Sequence, residues 1–225
     1  MKAIIFDSST LITLTMNGLD SLLRDIKKNS QTKFIVTNDV AYETVKRPLN
    51  IKRFELEALK IEELMKEKVL ETPESIGIKS QDIEKGTKEI LDQTNKIFRA
   101  RNNFIHIIDL GEASCLALSN LLTKKGIENV IAVDERTTRV LYENPQNLRD
   151  ILKSKLHTGV ELSKDISQFS NQKYKFIRSV ELVFYAYKKG LISLQGKQVL
   201  DALLYASKFK GCSVSDQEIE EMKRM

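Results

Sequence analysis

The chain has 225 residues, 41% hydrophobic and 30% charged, with 3 Pro and 9 Gly, a composition that describes a helix-rich globular domain and excludes collagen-like and low-complexity classes. Its net charge of +5 is unevenly placed: residues 1–145 carry 22 basic and 22 acidic side chains, whereas residues 146–225 carry 14 against 9, a surplus that either offers phosphate a surface or solvates a lysine-rich face. No apolar run reaches the length of a bilayer and the N-terminus lacks the signal-peptide pattern, so the expected location is the cytoplasm, away from membranes.

In chain order, Ala3 to Phe6 is a short apolar run without polar alternation, the mark of a strand covered on both faces in a parallel sheet. It ends abruptly at Asp7-Ser8-Ser9-Thr10, and ligand sites in such sheets gather at the carboxyl ends of strands. From Leu11, spaced apolar residues broken by Asn17-Gly18 predict a helical turn, then a helix over about Leu19 to Lys28. Phe34 to Val36 is the second buried strand, and Thr37-Asn38-Asp39 supplies capping side chains for a helix that runs through Glu43 to Lys46 and stops at Arg47-Pro48. Strand, helix, strand, helix opens a parallel α/β sheet.

Residues 51–101 are charged and helical in period, with Pro73, Gly77 and Ser80 between two halves, and predict a helical hairpin inserted between sheet strands; its second helix is expected to include Ile97 and Phe98. Phe104 to Ile108 is an extended approach to Asp109-Leu110-Gly111-Glu112, after which helical spacing continues to Lys124-Lys125-Gly126. Val130 to Asp134 repeats the opening theme of an apolar strand closed by an aspartate, with a helix from Glu135 onward. Residues 146–172 show no clear period, and Ser167 to Gln172 read as an exposed loop. Helices over Val180 to Lys188 and Gly196 to Phe209, and an acidic one from Ser215, complete a single enlarged domain whose C-terminal region spans about 146–225.

The two cysteines, Cys115 and Cys212, have no metal-ligand spacing and read as packed thiols. Neither His106 nor His157 has a partner at the spacing zinc hydrolases use, and His106, in an apolar stretch, is expected to be partly buried. A metal here is therefore held by oxygen, which points to magnesium or manganese. Four acids are placed to supply it: Asp7 and Asp134 at strand ends, Glu43 on the helix after the second strand, and Glu112 in the first turn after Gly111. Like charges brought together raise one another's pKa, and a shared divalent cation resolves the repulsion. Each acid also has a structural use. Asp7 could cap the turn at Ser8 to Thr10, Glu43 could pair with Lys46 or Arg47, and Asp109 and Glu112 have capping-box spacing.

The order of these motifs resembles the PIN domain family of metal-dependent nucleases. Ile4-Ile5-Phe6-Asp7-Ser8-Ser9-Thr10 is similar to the family's first motif, Glu43 in Val40 to Val45 to its helical glutamate, Asp109-Leu110-Gly111-Glu112-Ala113 to its third motif, and Val130 to Asp134 to its fourth. The resemblance implies a parallel central sheet flanked by helices and single-stranded RNA as substrate. It also implies Mg2+ or Mn2+ bound directly by Asp7 and Asp134, with Glu43 and Glu112 completing the shell directly or through water. Ser9 would orient Asp7; Glu135 and Thr137 both stand where a further acid or hydroxyl is expected, and the choice between them stays open. RNA processing and a toxin role, with a small antitoxin-like protein partner, are both compatible with it, as is a homodimer. The competing class is a non-catalytic RNA-binding or scaffold protein of the same fold. Phosphatase chemistry of the haloacid dehalogenase type ranks last, because it wants a second acid where Ser9 stands.

Overall fold

The computed structural model describes residues 1–162 and 174–225. Its centre is a four-stranded, wholly parallel sheet in the order β2–β1–β5–β7, formed by β1 (Lys2–Phe6), β2 (Thr32–Ile35), β5 (Glu128–Ala132) and β7 (Phe176–Ile177). The strands that carry Asp7 and Asp134 are direct neighbours, with Phe6 opposite Ala132 in register. The Asp7 amide extends that ladder by donating to the Ala132 carbonyl at 2.9 Å. Ala3, Ile5, Phe6, Phe34, Ile35, Ile131 and Ala132 are all buried, which is why β1 reads as a continuous apolar run.

Helices α1 (Ser8–Met16) and α2 (Asp20–Lys28) follow β1. A short helix α3 (Asn38–Ala41) follows β2, with Thr37 as its cap, and passes directly into a π-helical turn at Tyr42–Lys46. The long helix α6 (Leu110–Lys124) packs across β1 and β5, and α5 (Ser80–Thr94) packs on α6. That pair approaches closely at Gly86, where an added Cβ would stand 3.1 Å from the Ala117 Cβ. Helix α4 (Glu55–Lys66) forms as expected but packs on α1, α2 and the π-helical turn, so the two helices of this region lie against different elements and do not pack as a hairpin.

The second of these helices ends earlier than its apolar period suggests. Helix α5 stops at Thr94 because the next side chain is committed elsewhere. Asn95 accepts from the amides of Ile107 and Ile108 at 2.7 and 3.1 Å and donates to the Ile108 carbonyl at 3.0 Å. Ile97 and Phe98, both fully buried, therefore lie beyond the helix, and Phe98 opens a second, antiparallel sheet. It comprises β3 (Phe98–Ala100), β4 (Asn103–Phe104) and β6 (Glu161–Leu162). The apparently aperiodic stretch after residue 145 contains a helix, α8 (Pro145–Leu156), separated from α7 (Arg136–Glu143) by Asn144, whose side chain accepts from the Asn147 amide. The loop expected at Ser167 to Gln172 lies outside the described residues.

The C-terminal helices α9 (Ser179–Lys188), α10 (Lys197–Phe209) and α11 (Asp216–Arg224) enclose a small core of their own around Val180, Leu204 and Ile219. They join the main core through Leu182, Val183 and Ala186 of α9, and polar ties to α1 add to this. Thr13 Oγ1 donates to the Lys210 carbonyl, and the Asn17 amide side chain donates to the Ala206 carbonyl. Both cysteines are free and buried. Among the described residues, no helix is long and apolar enough to cross a membrane.

Candidate active site

Asp7 stands where β1 hands over to α1, and both neighbours shape it. Its extended backbone makes it the N-cap of α1, and Oδ2 accepts from the Ser9 amide at 3.0 Å and the Ser9 hydroxyl at 2.5 Å. Ser9 Oγ in turn accepts from the Asp134 amide at 3.0 Å, so one hydroxyl ties the ends of the two aspartate strands together. Asp7 is 2% exposed, and its other oxygen, Oδ1, is buried without a hydrogen-bond partner. A buried carboxylate oxygen in that condition is costly, and native proteins rarely leave one so. Burial raises the Asp7 carboxyl above the usual carboxylate range; the Ser9 and Ser8 hydrogen bonds oppose this, and the charge of Asp134 adds to it.

Glu43 reaches the same place from the π-helical turn, a rare geometry that recurs at functional sites. Its Oε1 accepts from the Gly111 amide at 3.2 Å in the first turn of α6, where unpaired amides favour an anion. The approach is possible because residue 111 has no side chain: a Cβ there would lie 2.5 Å from Glu43 Oε2. Glu43 does not pair with Lys46 or Arg47, which leaves its carboxylate to the cluster. Burial first, then the charge of Asp7, push its carboxyl upward against hydrogen bonds from Ser8 and Gly111.

Glu112 has a double hold. Oε2 accepts from the Asp109 amide at 3.0 Å, which closes the N-terminus of α6, while Oε1 accepts from the Thr138 hydroxyl. Its carboxyl is pushed up to about 8, by burial and then by the charge of Asp7. Its capping use and its place in the cluster are therefore not alternatives; one side chain does both.

Asp134 is fully buried and differs from the other three. Oδ1 accepts from the Ser179 amide at 2.6 Å and, more loosely, from Thr10 Oγ1 at 3.4 Å; Oδ2 accepts from Ser179 Oγ at 2.6 Å. Both oxygens thus hold the start of α9 against the end of β5. Asp109 caps α6 and pairs with His106 Nε2 at 2.7 Å. His106 is exposed, contrary to the burial expected from its apolar neighbours, because the segment turns it outward toward that carboxylate. Glu135 caps α7 and accepts from both the amide and hydroxyl of Thr137, so these two residues are partners, and both lie on the rim.

The other three acids therefore lie near enough to Asp7 for its charge to act on Glu43 and Glu112, and for that of Asp134 to act on it. Among the described residues, no three acidic, histidine or cysteine side chains are placed so that together they could hold a metal ion. The donor set still suits a hard cation: all oxygen, anionic, and centred on an Asp7 oxygen without a partner. Ser8, Ser9, Thr138 and Ser179, which hold these acids, are less visible in the sequence. Only Ser8 and Ser9, adjacent to Asp7, carry a local signal. Comparison with models of known families, with curated protein sequences and with solved structures finds no match for this chain.

Proposed function

We propose that the protein is a PIN-like endoribonuclease that hydrolyses phosphodiester bonds of single-stranded RNA with Mg2+ or Mn2+ held at the Asp7 cluster. The observation that carries this reading is the Asp7 Oδ1 atom, buried and without a hydrogen-bond partner, in a carboxylate whose charge acts on Glu43 and Glu112 and is acted on by Asp134. A bound divalent cation would supply charge for the attacked phosphate and a more acidic water. The chain's own residues do the rest. Asp7 and Glu43 offer oxygens to the cation, and Ser9 and the Gly111 amide fix their direction. Glu112, gripped by Thr138, holds a proton near neutrality at its carboxyl, and a bound cation would compete with that proton. Asp134 keeps the two strand ends and α9 in register, and reaches a cation only by releasing Ser179.

That last feature favours a second reading, in which Asp134 serves the fold alone and the protein binds RNA without cutting it. One experiment separates them. Labelled single-stranded RNA is incubated with Mn2+ and wild-type protein or Asp7→Asn, with and without chelator. Cleavage by the wild type, lost on chelation and reduced at least about 10²-fold in Asp7→Asn, is expected. RNA binding that persists in chelator with no cleavage by either protein supports the second reading. Equal cleavage by both proteins would sink the assignment of Asp7.

A further inference from the structure

Glu43 has a second neighbourhood. It also forms part of the wall of a cleft of about 320 Å³, near the lower size of small-ligand pockets, built by α1, the π-helical turn, the segment leading into α4 and the start of α4 itself. The lining is mostly apolar and unusually exposed for such side chains: Ile12, Met16, Ile51 and Phe54 are each 37–43% accessible. Two guanidiniums, Arg47 and Arg53, share the cleft; Arg53 lies over the Phe54 ring at 5.4 Å, and neither forms an ion pair with a described residue. Glu57 lines it as well, an acceptor suited to an exocyclic amine.

An exposed aromatic face, an apolar floor and two unpaired cations match the parts of a nucleotide: a flat ring that stacks and a phosphate that seeks guanidinium. An apolar peptide side chain would use the floor and leave both arginines idle. Because Glu43 belongs to both the cleft and the acidic cluster, a base seated here belongs to the nucleotide beside the phosphate at Asp7. We propose that this cleft is a nucleobase subsite, with Phe54 as the stacking face and Arg47 and Arg53 as the holders of a flanking phosphate. The proposal rests on the ribonuclease reading and adds to it where the strand lies.

The test uses one single-stranded RNA whose cut site has been mapped with Mn2+, and a series in which each base in turn is replaced by an abasic unit. For the wild type, removal of one base within about two nucleotides of the cut is expected to raise KM about tenfold, the scale of a lost base–aromatic stack, with kcat little changed. Phe54→Ala should raise KM for intact RNA by a similar factor and be indifferent to that abasic unit, while Phe54→Tyr should restore the wild-type pattern. Arg47→Gln with Arg53→Gln should raise KM for both RNAs alike. If the Phe54→Ala and abasic effects multiply, or no single base matters, the subsite is refuted while the nuclease stands. If Phe54→Ala leaves KM unchanged but converts a dimer to a monomer in sedimentation, the cleft joins two copies and the subsite is refuted. No cleavage of any RNA by the wild type would remove both readings together.

Discussion

Asp7 and Asp134 are the same residue type at the ends of adjacent strands, yet they carry opposite costs. Every oxygen of Asp134 has a donor, from Ser179 or Thr10, whereas Asp7 keeps one buried oxygen without any. Asp134→Asn puts an amide where donors converge and is expected to destabilise the metal-free protein by about 1–3 kcal/mol. At about 2–4 °C per kcal/mol this is measurable by circular dichroism melting, which suits a chain without Trp. Asp7→Asn removes a charge held above its normal pKa by burial and should raise the melting temperature of the same protein. A fall of similar size in both variants would contradict the division of roles. Glu112 adds a pH signature. Its folded carboxyl keeps its proton up to about 8, whereas the unfolded chain releases it near about 4.3. Its contribution to stability is therefore complete below the unfolded value and is lost as pH rises through about 8. Glu112→Gln should flatten the decline in metal-free melting temperature between about pH 5 and 8. The stabilisation by Mn2+ should grow over that range in the wild type, as proton competition fades.

At the scale of elements, the first turn of α6 sets the position of Glu43, and Gly111 is the means. In Gly111→Ala the added methyl would meet the end of a flexible side chain, so Glu43 gives way and the helix does not. Melting is expected to stay within about 1 kcal/mol of wild type, while the RNA cleavage proposed above should fall about 10²-fold, the usual cost of a misplaced catalytic group. Normal activity would mean that Glu43 does not need that seat. The sequence makes most of these elements legible, because β1, β5 and α6 have long apolar patterns and capping residues at their starts. Less was legible where the deciding force is tertiary. Phe98 continues a helical period, but the Asn95 side chain is drawn to Ile107 and Ile108 and ends the helix. Strand β7 is two residues long and exists because β5 offers it an edge, which no local period can announce. The nearness of Asp7 and Asp134 follows once β1 and β5 are neighbours, as two strands each closed by an aspartate suggest; the capture of Asp134 by Ser179, 45 residues on, has no such signal.

At the scale of the whole molecule, the C-terminal helices form a second small core, joined to the main one by Leu182, Val183 and Ala186 of α9, and Arg178 is the main polar fastener among these helices. Buried at 8% exposure, it donates to Glu181, to Glu218 at 2.8 Å and to the Ser213 carbonyl at 2.9 Å, while the next residue is the one that grips Asp134. The site is thereby connected to helices that contribute no acid to it. Burial pushes the Glu218 carboxyl up, but hydrogen bonds from Ser215 and Arg178 outweigh it and hold it at about 2. A depressed carboxyl stabilises above the unfolded value near about 4.3, and that stability is lost as pH falls from there through about 2. The C-terminal helices should therefore loosen during acidification over that window. Glu218→Gln should shrink that acid-dependent loss. Arg178→Met leaves two partly exposed carboxylates without their cation and is expected to destabilise by about 1–3 kcal/mol at neutral pH. Hydrogen exchange read by mass spectrometry should then show faster exchange in α9 to α11 before β1 and α6 respond. Uniform acceleration across the chain would instead mean that the two cores unfold as one unit.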